Sequence, residues 1–489
     1  MTRATLVATL TAKPSPAALR AIACSVDVLE VRADLVPDLD SAALRADFPG
    51  RLLYTLRSRE EGGGFRGSLL ERQTLLEGAA GRFDLIDLEV ERDLDPHLLT
   101  RVRPEQRILS WHGPETDLEG LEERLGAMSE TPAALYKLVP AARRSGQELI
   151  PLRLLEEAGR RDVVAFATGP VATWTRLVAP RLGAPWIYGS LGDAAGAPGQ
   201  LSVERLVRDY GLPELRPAER LCGVLGNPVL HSLSPRLHNG AYRELELPCL
   251  YVPFHVEEFG EFWLEVAEDD LLGRIGMPLV GLSVTTPHKS AALAVAAVAS
   301  PLAETLNAAN TLDLRDGAWE AENTDVEGVI RALEERGIPV AGRRAVVVGA
   351  GRAGRAAAFG LARGGADVVV ANRSEARGRE VAELLEIPFC ALEDLDPSAF
   401  EIVVHATSLG RAPDDEAPID ADALRAEGAL VELVYGTGPT LLERRARERG
   451  LTVIDGREVL VAQAIAQFRL FTGRDISIEM GRRILEVAS

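Results

Sequence analysis

Short apolar segments recur along the first part of the chain at the spacing of alternating strands and helices. Each is rich in Val, Leu, Ile or Ala, and helix-like stretches such as Asp117–Met128 and Glu148–Gly159 separate several of them. Strands of a parallel sheet are buried on both faces, so they appear as continuous apolar runs. Eight runs predict a (β/α)8 barrel: Thr5–Leu10, Val28–Val31, Leu52–Leu56, Leu85–Leu88, Ile108–Trp111, Ala134–Leu138, Val163–Ala167 and Trp186–Tyr188.

The pattern changes after the eighth run. Pro213–Pro217, with the sequence Pro-Glu-Leu-Arg-Pro, is typical of a linker. Beyond it, an apolar strand starting near Arg343 runs into the glycine turn Gly349–Gly354 and then into a helix, the order of a nucleotide-binding βαβ unit. A chain of 489 residues is too long for one compact core. We therefore predict an α/β protein in which a barrel precedes a dinucleotide-binding segment.

Lysine is almost absent from the chain. Of 54 basic residues, only Lys13, Lys137 and Lys289 are lysines. Arginine replaces lysine wherever a surface cation suffices, but it stays protonated and cannot serve as an amine nucleophile or a titrating proton donor. Lys137 lies near the end of an apolar run and Lys289 closes a polar motif, so both are candidates for chemistry. Lys13 lies in a loop and is expected to be solvated.

Charge and cysteine usage narrow the function classes. A net charge of −19 opposes binding to nucleic acid or anionic membranes, so an anionic substrate requires locally concentrated arginines. The four cysteines are scattered without metal-type spacing, which predicts no metal site and favours a reducing compartment. The N-terminus lacks a secretory leader and no apolar run has the length of a membrane span, so we expect a cytoplasmic protein. No obligate protein partner is predicted.

Polar residues follow the predicted barrel strands where each strand ends. In (β/α)8 enzymes the chemistry lies at the carboxyl ends of the strands, so these side chains are expected to converge. A single one of them is better explained as an exposed loop charge, whereas the whole set predicts an active site. The set contains Glu30, Arg32, Asp34, Arg57, Asp87, Glu89, Ser110, His112 and Lys137, with Arg176 and Gln200 after the last two strands.

The composition of this set favours carbanion chemistry without a metal. Arginines around Lys137 lower the pKa of its amine by like charge, which frees it to attack a ketone; the resulting iminium acidifies the adjacent carbon. We expect His112, oriented by Glu89, to take and return the proton. An arginine would hold a substrate carboxylate in bidentate fashion. The alternative for His112 is a core histidine with one backbone hydrogen bond.

The first half of the chain resembles type I 3-dehydroquinate dehydratase. The resemblance covers residues 1 to about 212 and rests on Glu30-x-Arg32-x-Asp34, Thr55-x-Arg57 with Glu61-Gly-Gly, Asp87-x-Glu89, Ser110-x-His112, Lys137 and Ala197-Pro-Gly-Gln200. It implies an imine on Lys137, proton transfer by the Glu89–His112 pair and a carboxylate held by Arg176. Glu30, Arg32, Arg57 and Gln200 would then bind substrate hydroxyls and the closing loop. Gly196 stands where many bacterial members carry serine, which removes one contact of that loop.

The glycine turn predicts a preference between nicotinamide cofactors. The strand after it ends in Asn372-Arg373-Ser374, where an NAD-binding protein presents an acidic residue to the ribose hydroxyls. Arg373 and Arg377 instead offer cations to a 2′-phosphate, so NADP (NADPH) is the predicted cofactor. The alternative is a turn that binds nothing, with solvated arginines. The predicted cofactor-binding residues are Gly349, Ala350, Gly351, Arg352, Ala353, Gly354, Asn372, Arg373, Ser374, Arg377 and Thr407.

Hydroxyls, an amide, a lysine and a carboxylate lie before the glycine turn in the sequence, and this set suits a polyol better than an apolar ligand. Lys289 and Asp325 are expected to form an ion pair that keeps the ammonium charged near the oxygen whose carbon exchanges hydride. A purely structural salt bridge is the alternative. The further residues that carry the polar character are Ser232, Ser234, Ser283, Thr285, Asn310 and Thr311.

The segment from about 219 to 489 resembles shikimate dehydrogenase. The motifs are Ser232-x-Ser234-Pro, Val284-Thr-x-Pro-x-Lys289, Asn323-Thr-Asp325, Gly349-x-Gly-x-x-Gly354, Asn372-Arg373, Ala406-Thr-Ser-x-Gly410, Tyr435 and Gln463. The resemblance implies that Lys289 and Asp325 are catalytic and that shikimate is bound by Ser232, Ser234, Thr285, Asn310, Tyr435 and Gln463. Four positions depart from the usual pattern: Ser283 and His405 replace asparagines, and Arg411 and Val459 replace methionines.

Together the resemblances imply a bifunctional shikimate-pathway enzyme: a lyase that forms 3-dehydroshikimate from 3-dehydroquinate, and an NADPH-dependent oxidoreductase that converts it to shikimate. We predict a dehydratase barrel in 1–214, a shikimate-binding domain in 219–330 completed by 460–489, and a Rossmann-type NADP-binding domain in 331–459. Rival interpretations are a class I aldolase-like barrel, an NAD-linked quinate dehydrogenase and a sensor that kept both pockets without catalysis. Complete lysine, histidine and carboxylate sets argue against the sensor.

Overall fold

The computed structural model describes residues 2–37, 39–192, 194–410, 415–435 and 438–487. They form two compact units, one of residues 1–230 with 246–279 and the other of residues 231–245 with 280–489. The predicted domain limits stay predictions, because these units divide the chain in another way. Among the described residues, no helix is long and apolar enough to cross a membrane.

The first unit contains the predicted barrel. Its eight strands form one parallel sheet in the order β8-β7-β6-β5-β4-β3-β2-β9, and the rings of Phe166 and Tyr188, from the two ends of that order, lie 6.3 Å apart. The sheet is therefore a nearly closed barrel, as the apolar runs predicted. The strands of this unit are β1 Thr2–Arg3, β2 Thr5–Leu10, β3 Val28–Arg32, β4 Arg51–Thr55, β5 Leu85–Glu89, β6 Arg107–Gly113, β7 Leu135–Pro140, β8 Val163–Ala165, β9 Trp186–Ser190, β10 Glu214–Leu215, β11 Arg220–Gly226 and β12 Cys249–His255.

Helices follow the barrel strands, and side-chain caps fix where several begin. Ser68, for example, accepts a hydrogen bond from the backbone N–H of Glu71, whose side chain accepts from the Ser68 N–H, so two backbone donors of this helix end are satisfied. The helices of this unit are α1 Pro16–Ile22, α2 Ser41–Asp47, α3 Leu69–Ala80, α4 Pro96–Arg101, α5 Leu118–Ser129, α6 Ile150–Ala158, α7 Thr175–Val178, α8 Val203–Tyr210, and, beyond the barrel, α10 Phe259–Phe262 and α11 Leu271–Arg274.

The predicted linker at Pro213–Pro217 is ordered instead of free. Glu214 and Leu215 pair antiparallel with Arg3 and Thr2, and the Ala4 N–H donates to the Pro213 carbonyl. The segment is ordered because the three residues between the prolines keep their N–H groups, and two of them, Glu214 and Leu215, form a ladder. The segment that follows stays with the barrel: Trp174 packs edge-on against Phe254 of β12, with ring centroids 5.3 Å apart.

The second unit contains a small mixed sheet and a parallel one. In the mixed sheet, β15 pairs antiparallel with both β13 and β16, and β14 pairs parallel with β16. The parallel sheet has the order β19-β18-β17-β20-β21-β22, the doubly wound order of dinucleotide-binding proteins, whose switch point lies between β17 and β20. The strands are β13 Leu279–Val284, β14 Val298–Ala299, β15 Thr311–Arg315, β16 Ala318–Glu322, β17 Arg344–Val348, β18 Asp367–Asn372, β19 Phe389–Ala391, β20 Ile402–His405, β21 Ala429–Glu432 and β22 Thr452–Ile454.

Helix α18 is the longest described helix of this unit. It follows the last strand of the parallel sheet, β22. It begins after Asp455, whose carboxylate caps the N–H groups of Arg457 and Glu458, and it ends at Gly473, which adopts a left-handed conformation that favours glycine. The helices are α9 Ser234–Glu244, α12 Lys289–Val295, α13 Pro301–Thr305, α14 Asp325–Glu335, α15 Arg352–Arg363, α16 Glu375–Leu385, α17 Leu441–Glu448, α18 Gly456–Thr472 and α19 Ile478–Leu485.

Candidate functional site

A cavity of about 720 Å³ opens at the carboxyl ends of the barrel strands. Because side chains alternate along a strand, residues two apart point to the same side, and the sequence pairs Glu30/Arg32 and Ser110/His112 follow this rule. Most of the predicted ring meets here: the cavity is lined by Glu30, Arg32, Arg57, His112, Lys137, Arg176 and Gln200, together with Glu61, Phe166 and Tyr188. Glu89 is not part of the lining.

Lys137 lies in the wall of this cavity as a buried amine. Its side chain forms no hydrogen bond or ion pair with any described residue, and its Nζ lies 4.1 Å from the centroid of the Tyr188 ring. The pKa of Lys137 is lowered from its ordinary value chiefly because burial disfavours the ammonium; Glu30 and Asp87 oppose this, and Arg57 and Arg176 add smaller repulsions. The expected direction is confirmed, but burial, which the sequence argument did not invoke, is the larger cause. A neutral amine is the form that attacks a ketone.

Arg176 is the second buried cation without a charged partner. It is 5% exposed, its guanidinium lies 4.2 Å from the centroid of the Phe166 ring, and its Nε–H has no acceptor among the described residues. Burial lowers the pKa of Arg176 to about 10, so it remains charged at neutral pH. Burying a guanidinium without a counter-ion costs folding free energy, and a bound anion would offset that cost. The cavity is therefore suited to a carboxylate.

Glu30 is held between two strands that flank its own. Its carboxylate accepts hydrogen bonds from the hydroxyls of Thr9, at 2.7 Å, and Thr55, at 2.9 Å. Each carboxylate oxygen accepts one of these hydrogen bonds, and together they fix the Glu30 side chain in the cavity wall. Glu30 is thus placed as an acceptor for substrate hydroxyls.

The loop 196–200 is attached to the barrel through its backbone. Arg32 forms a bidentate pair with Asp34 through Nε and Nη2, and its Nη1 donates to the Gly196 carbonyl at 3.0 Å. The Gly196 N–H in turn donates to Gln200, whose amide donates to Thr9. A Cβ at position 196 would lie 3.0 Å from both Gln200 and Thr9. Glycine therefore fits this closed arrangement, and its backbone supplies two contacts of the loop.

The predicted pairing of His112 with Glu89 does not occur. Glu89 is fully buried and accepts from Arg57 at 3.1 Å and from the Ser58 N–H at 2.8 Å, with Arg72 at 3.4 Å from its other oxygen. These cations draw the carboxylate away from the cavity. His112 instead has Glu61 as its partner: Glu61 Oε2 lies 3.2 Å from Nδ1 and accepts from the His112 N–H at 3.1 Å.

Arg57 binds three carboxylates, one of which is the Glu61 partner of His112. It donates to Asp87 and Glu61, both at 2.9 Å, as well as to Glu89 and the Ser110 hydroxyl. Both terminal nitrogens of its guanidinium are therefore bonded to protein groups. The carboxylates raise the pKa of Arg57, although burial alone would lower it. The prediction that Arg57 contacts substrate hydroxyls is supported only by its place in the cavity lining. Its contacts show a positioning role for Glu61.

Burial and neighbouring charges set the protonation of the His112–Glu61 pair. Burial, then Arg57, Lys137, Arg32 and Arg176, lower the pKa of His112 well below its ordinary value. Burial raises the pKa of Glu61 to about 8 against the opposing effect of Arg57. His112 is therefore a neutral imidazole at pH 7, ready to accept a proton. An amine nucleophile, a neutral base and an unpaired guanidinium in one cavity can perform imine-based proton abstraction.

The second predicted set meets in the second unit. Lys289 and Asp325 form the expected ion pair, with Asn310 donating to the other Asp325 oxygen at 2.6 Å. Asn310 is itself fixed by the hydroxyls of Thr311 and Thr324. The pair keeps the Lys289 ammonium beside a carboxylate at the start of α14, where the positive end of the helix dipole favours the anionic Asp325. The predicted ion pair is present, and its catalytic role stays a prediction.

The predicted polyol ligands differ in how the protein uses them. The Ser232 hydroxyl donates to the Ser234 hydroxyl at 3.2 Å and accepts from its N–H, so these two form a local turn at the start of α9. Thr285, Tyr435 and Gln463 are partly exposed. Their roles toward a substrate stay predictions.

Gln467 is a residue that the sequence interpretation missed. It lies one helical turn after Gln463 and accepts from Ser283 at 2.8 Å while donating to Thr311 at 3.0 Å. Ser283, which replaces the usual asparagine, is thereby bonded to α18. The one-turn spacing of the two glutamines was the available signal. In the barrel, the signal for Glu61 was its position four residues after Arg57.

The glycine turn has the close backbone packing that a dinucleotide requires. Gly349 has a φ of +119°, and a Cβ on Gly354 would lie 2.0 Å from the Gly349 carbonyl oxygen. Gly351 caps α15, whose first N–H groups point toward the turn. The Ala350 N–H donates to Asn372, which ties the turn to the end of β18. A phosphate therefore fits at this helix N-terminus.

The charged neighbours of the turn suit a 2′-phosphate. Arg373 and Arg377 are exposed and form no ion pair with a described residue, whereas Arg352 donates to the Ser290 hydroxyl at 3.1 Å. Ser374 precedes α16 and its carbonyl accepts from Asn372. Thr407 follows β20 and contacts His405. Val459 is buried on α18, and Arg411 lies outside the described residues.

Three protein-family models match consecutive parts of the chain. The type I 3-dehydroquinase family matches residues 5–215, the shikimate dehydrogenase substrate-binding domain matches 224–312 and the shikimate/quinate 5-dehydrogenase family matches 332–412. A bifunctional 3-dehydroquinate dehydratase/shikimate dehydrogenase of Arabidopsis thaliana is 30% identical over 91% of this chain and 78% of its own length. The chain belongs to this bifunctional family.

Relatives of the second half alone are also similar. An NADP-dependent shikimate dehydrogenase of Halobacterium salinarum is 40% identical over 54% of this chain and 97% of its own. The crystal structure of a shikimate 5-dehydrogenase from Thermus thermophilus, in complex with NADP(H) and shikimate, is 34% identical, covers 54% of this chain and 98% of its own, and superposes with a TM-score of 0.50. These matches place the bifunctional family's reductase half after residue 215.

Proposed function

We propose that this protein catalyses two consecutive reactions of the shikimate pathway, as a lyase and as an NADPH-dependent oxidoreductase. The barrel dehydrates 3-dehydroquinate to 3-dehydroshikimate, and the second half reduces that product to shikimate. The observation that carries the dehydratase assignment is the pair of buried, unpaired cations, Lys137 and Arg176, in one cavity.

In the dehydratase step, the Lys137 amine adds to the substrate ketone and water is lost, which gives a protonated imine. His112 removes a proton from the adjacent carbon, and the iminium accepts the electron pair as an enamine. When the enamine expels the hydroxyl group, His112 returns the proton to it, so water leaves. Hydrolysis of the imine releases the product and restores the amine. Glu61 positions His112, Arg176 holds the carboxylate, and Glu30, Arg32 and Gln200 hold hydroxyls and the loop.

In the reductase step, Lys289 donates a proton to the carbonyl oxygen as the carbon receives hydride. NADPH supplies that hydride when bound, and the glycine turn with Arg373 and Arg377 fits its phosphates. Asp325 pairs with Lys289 and holds it in place, while Asn310 fixes Asp325. We assign substrate binding to Ser232, Ser234, Thr285, Asn310, Tyr435 and Gln463. The unpaired Arg373 favours NADP over the NAD of a quinate-specific enzyme.

Product analysis with both substrates tests the proposal. The purified chain, given 3-dehydroquinate and NADPH, should yield shikimate, and without NADPH it should stop at 3-dehydroshikimate. Borohydride added with 3-dehydroquinate should attach the ligand's mass to the peptide that contains Lys137. Labelling of another residue, or full activity without labelling, would overturn the imine mechanism. The cytoplasmic location, and the absence of nucleic-acid, membrane and obligate protein partners, stay predictions.

A further inference from the structure

His405 and Glu432 form a buried pair that the proposed reaction does not use. They end the neighbouring strands β20 and β21, and the side chains of both are 0% exposed. The His405 Nδ1 lies 2.8 and 2.9 Å from the two Glu432 oxygens. Glu432 also accepts from the Val434 N–H and from the Thr440 hydroxyl. Three donors, His405 Nδ1, the Val434 N–H and the Thr440 hydroxyl, thus converge on this buried carboxylate.

The other ring nitrogen of His405 is directed at Thr407. Nε2 lies 2.6 Å from the Thr407 hydroxyl oxygen, which also accepts the Leu409 N–H at 3.2 Å. In the tautomer that carries its proton on Nδ1, toward Glu432, the ring accepts the Thr407 hydroxyl proton at Nε2. A directed chain of hydrogen bonds thus runs from Thr407 through His405 to Glu432. It fixes the rotamer of Thr407 and leaves one hydroxyl lone pair available.

Thr407 lies at the switch point of the parallel sheet. His405 is the register partner of Val348, the last residue of β17, and the Ala406 N–H donates to the Val348 carbonyl at 2.8 Å. Ala406 also lies against the glycine turn, since a Cβ on Gly349 would meet its carbonyl oxygen at 2.7 Å. In a doubly wound sheet the dinucleotide occupies the crevice at this point.

The strand order assigns the two halves of the dinucleotide to opposite sides of β17. Strand β18, which ends next to Arg373, lies on one side and marks the adenosine half with its 2′-phosphate. Strand β20, which ends at His405, lies on the other. The segment 406–410 therefore borders the nicotinamide half. Gly410, with a φ of +84°, turns this segment back toward Thr440, which is bonded to Glu432.

We propose that His405 and Glu432 are positioning residues that hold Thr407 against the nicotinamide half of NADP(H). This inference rests on the proposed reductase function. The group that contacts the cofactor is Thr407, and the pair acts through it. A pair that only stabilised the fold would weaken the binding of both halves of the dinucleotide alike. A positioning pair would affect only the binding of the nicotinamide half.

Two ligands distinguish these roles: NADPH, and 2′,5′-ADP, which carries the adenosine half and the 2′-phosphate but no nicotinamide. For His405→Asn and for Thr407→Val we expect the Kd of NADPH to rise about tenfold, which corresponds to about 1.4 kcal/mol. The Kd of 2′,5′-ADP should stay within about twofold, because its contacts lie across β17. The KM for NADPH should rise in the same way, with kcat at saturating NADPH changed much less.

A double-mutant cycle tests whether His405 acts through Thr407. Once Thr407→Val is present, adding His405→Asn should raise the Kd of NADPH by less than about twofold, because the shared contact is already lost. Additive effects, or equal effects on both ligands, would overturn the proposal. The stoichiometry of 2′,5′-ADP binding in the same samples reports the folded fraction of the unit that carries these residues.

A second variant covers the case in which His405→Asn does not fold. Glu432→Gln keeps the shape of the side chain, but its amide can donate to Nδ1 and so move the ring proton to Nε2. Nitrogen-15 NMR of the histidine should show this tautomer change together with a rise in the Kd of NADPH alone. A tautomer change without any effect on NADPH would also overturn the proposal. Glu448→Gln, on an exposed carboxylate of α17, is the matched control. A parent protein that binds neither ligand refutes the reductase function itself.

Discussion

Glu61 Oε2 lies 3.2 Å from Nδ1 of His112, while Glu89, the carboxylate at the end of a barrel strand, is bonded to Arg57. The two acidic residues thus have separate tasks although both are buried close to the same arginine. Glu61 faces the cavity and sets the orientation of the base. Glu89 compensates buried positive charge behind it.

Amide substitutions should separate these tasks. Glu61→Gln should lower dehydratase kcat by about 10- to 100-fold, because His112 loses the partner that orients it, a contribution typical of general-base catalysis. Thermal stability should change little. Product formation at saturating 3-dehydroquinate and a melting curve are the two measurements.

Glu89→Gln is the matched comparison. Removing one carboxylate from a buried cluster leaves Arg57 and Arg72 less compensated, which should cost about 3–5 kcal/mol of stability. Urea unfolding measures this loss. If Glu89→Gln lowered kcat more than Glu61→Gln without loss of stability, the original Glu89–His112 pairing would have to be restored.

The pKa of His112 is a second measurable consequence. Burial and four nearby cations disfavour the imidazolium, so His112 should take up its proton only below its ordinary pKa of 6.5. The neutral, basic form is therefore present throughout the neutral range and persists as the pH falls toward 6. Carbon-13 NMR of labelled histidine should give a midpoint below 6.5, with the signal assigned through His112→Gln. A midpoint at or above 6.5 would contradict the electrostatic argument.

Much of this arrangement was predictable because apolar runs mark the strands and the reactive residue types lie where those runs end. Continuous apolar runs located the eight strands, and Lys137, His112 and Arg176 came from positions next to them. Glu61 was harder to assign, because it lies in a loop after β4 and reaches His112 across the top of β5. Strand-end position could not distinguish it from Glu89, which lies closer to His112 along the sheet. The two carboxylates differ in which cations engage them, and that requires three-dimensional contacts.

The reductase half shows the same limit. Lys289 and Asp325 were paired from their residue types, but the bridge from Ser283 through Gln467 to Thr311 joins residues more than 150 positions apart. No local pattern predicts such a contact. The order at Pro213–Pro217 was missed for a related reason, since its partner strand is at the other end of the barrel sequence.

The Tyr188 ring should influence imine chemistry at Lys137. An aromatic face 4.1 Å from Nζ favours a cation there, including the protonated imine. Tyr188→Leu should slow borohydride trapping of 3-dehydroquinate by roughly two- to thirtyfold, since a cation–π contact is worth about 0.5–2 kcal/mol. Tyr188→Phe keeps the ring and should trap at close to the parent rate. Equal losses in both variants would assign the effect to the hydroxyl.

Arg373 should select the cofactor. A charge-assisted hydrogen bond to phosphate is worth about 1.5–3 kcal/mol, so Arg373→Ala should raise the KM for NADPH by roughly 10- to 150-fold. The KM for NADH should hardly change because NADH lacks the 2′-phosphate. Arg379→Ala, on helix α16 just after Arg373 and ion-paired with Glu375, is the control. Equal changes for both cofactors would refute the assignment.

The two lysines should be separable in one chain, because each lies in a different unit with its own set of partners. Lys289→Ala should convert 3-dehydroquinate to 3-dehydroshikimate and accumulate it, since only the second step loses its proton donor.

Lys137→Ala should show the reverse: no reaction with 3-dehydroquinate, but reduction of added 3-dehydroshikimate with NADPH at close to the parent rate. The reason is that the assigned barrel residues all lie before residue 215 and the assigned reductase residues all lie after it. A product assay of both variants with both substrates decides the question. If Lys137→Ala also abolished reduction while its circular dichroism matched the parent, the two sites would have to be coupled.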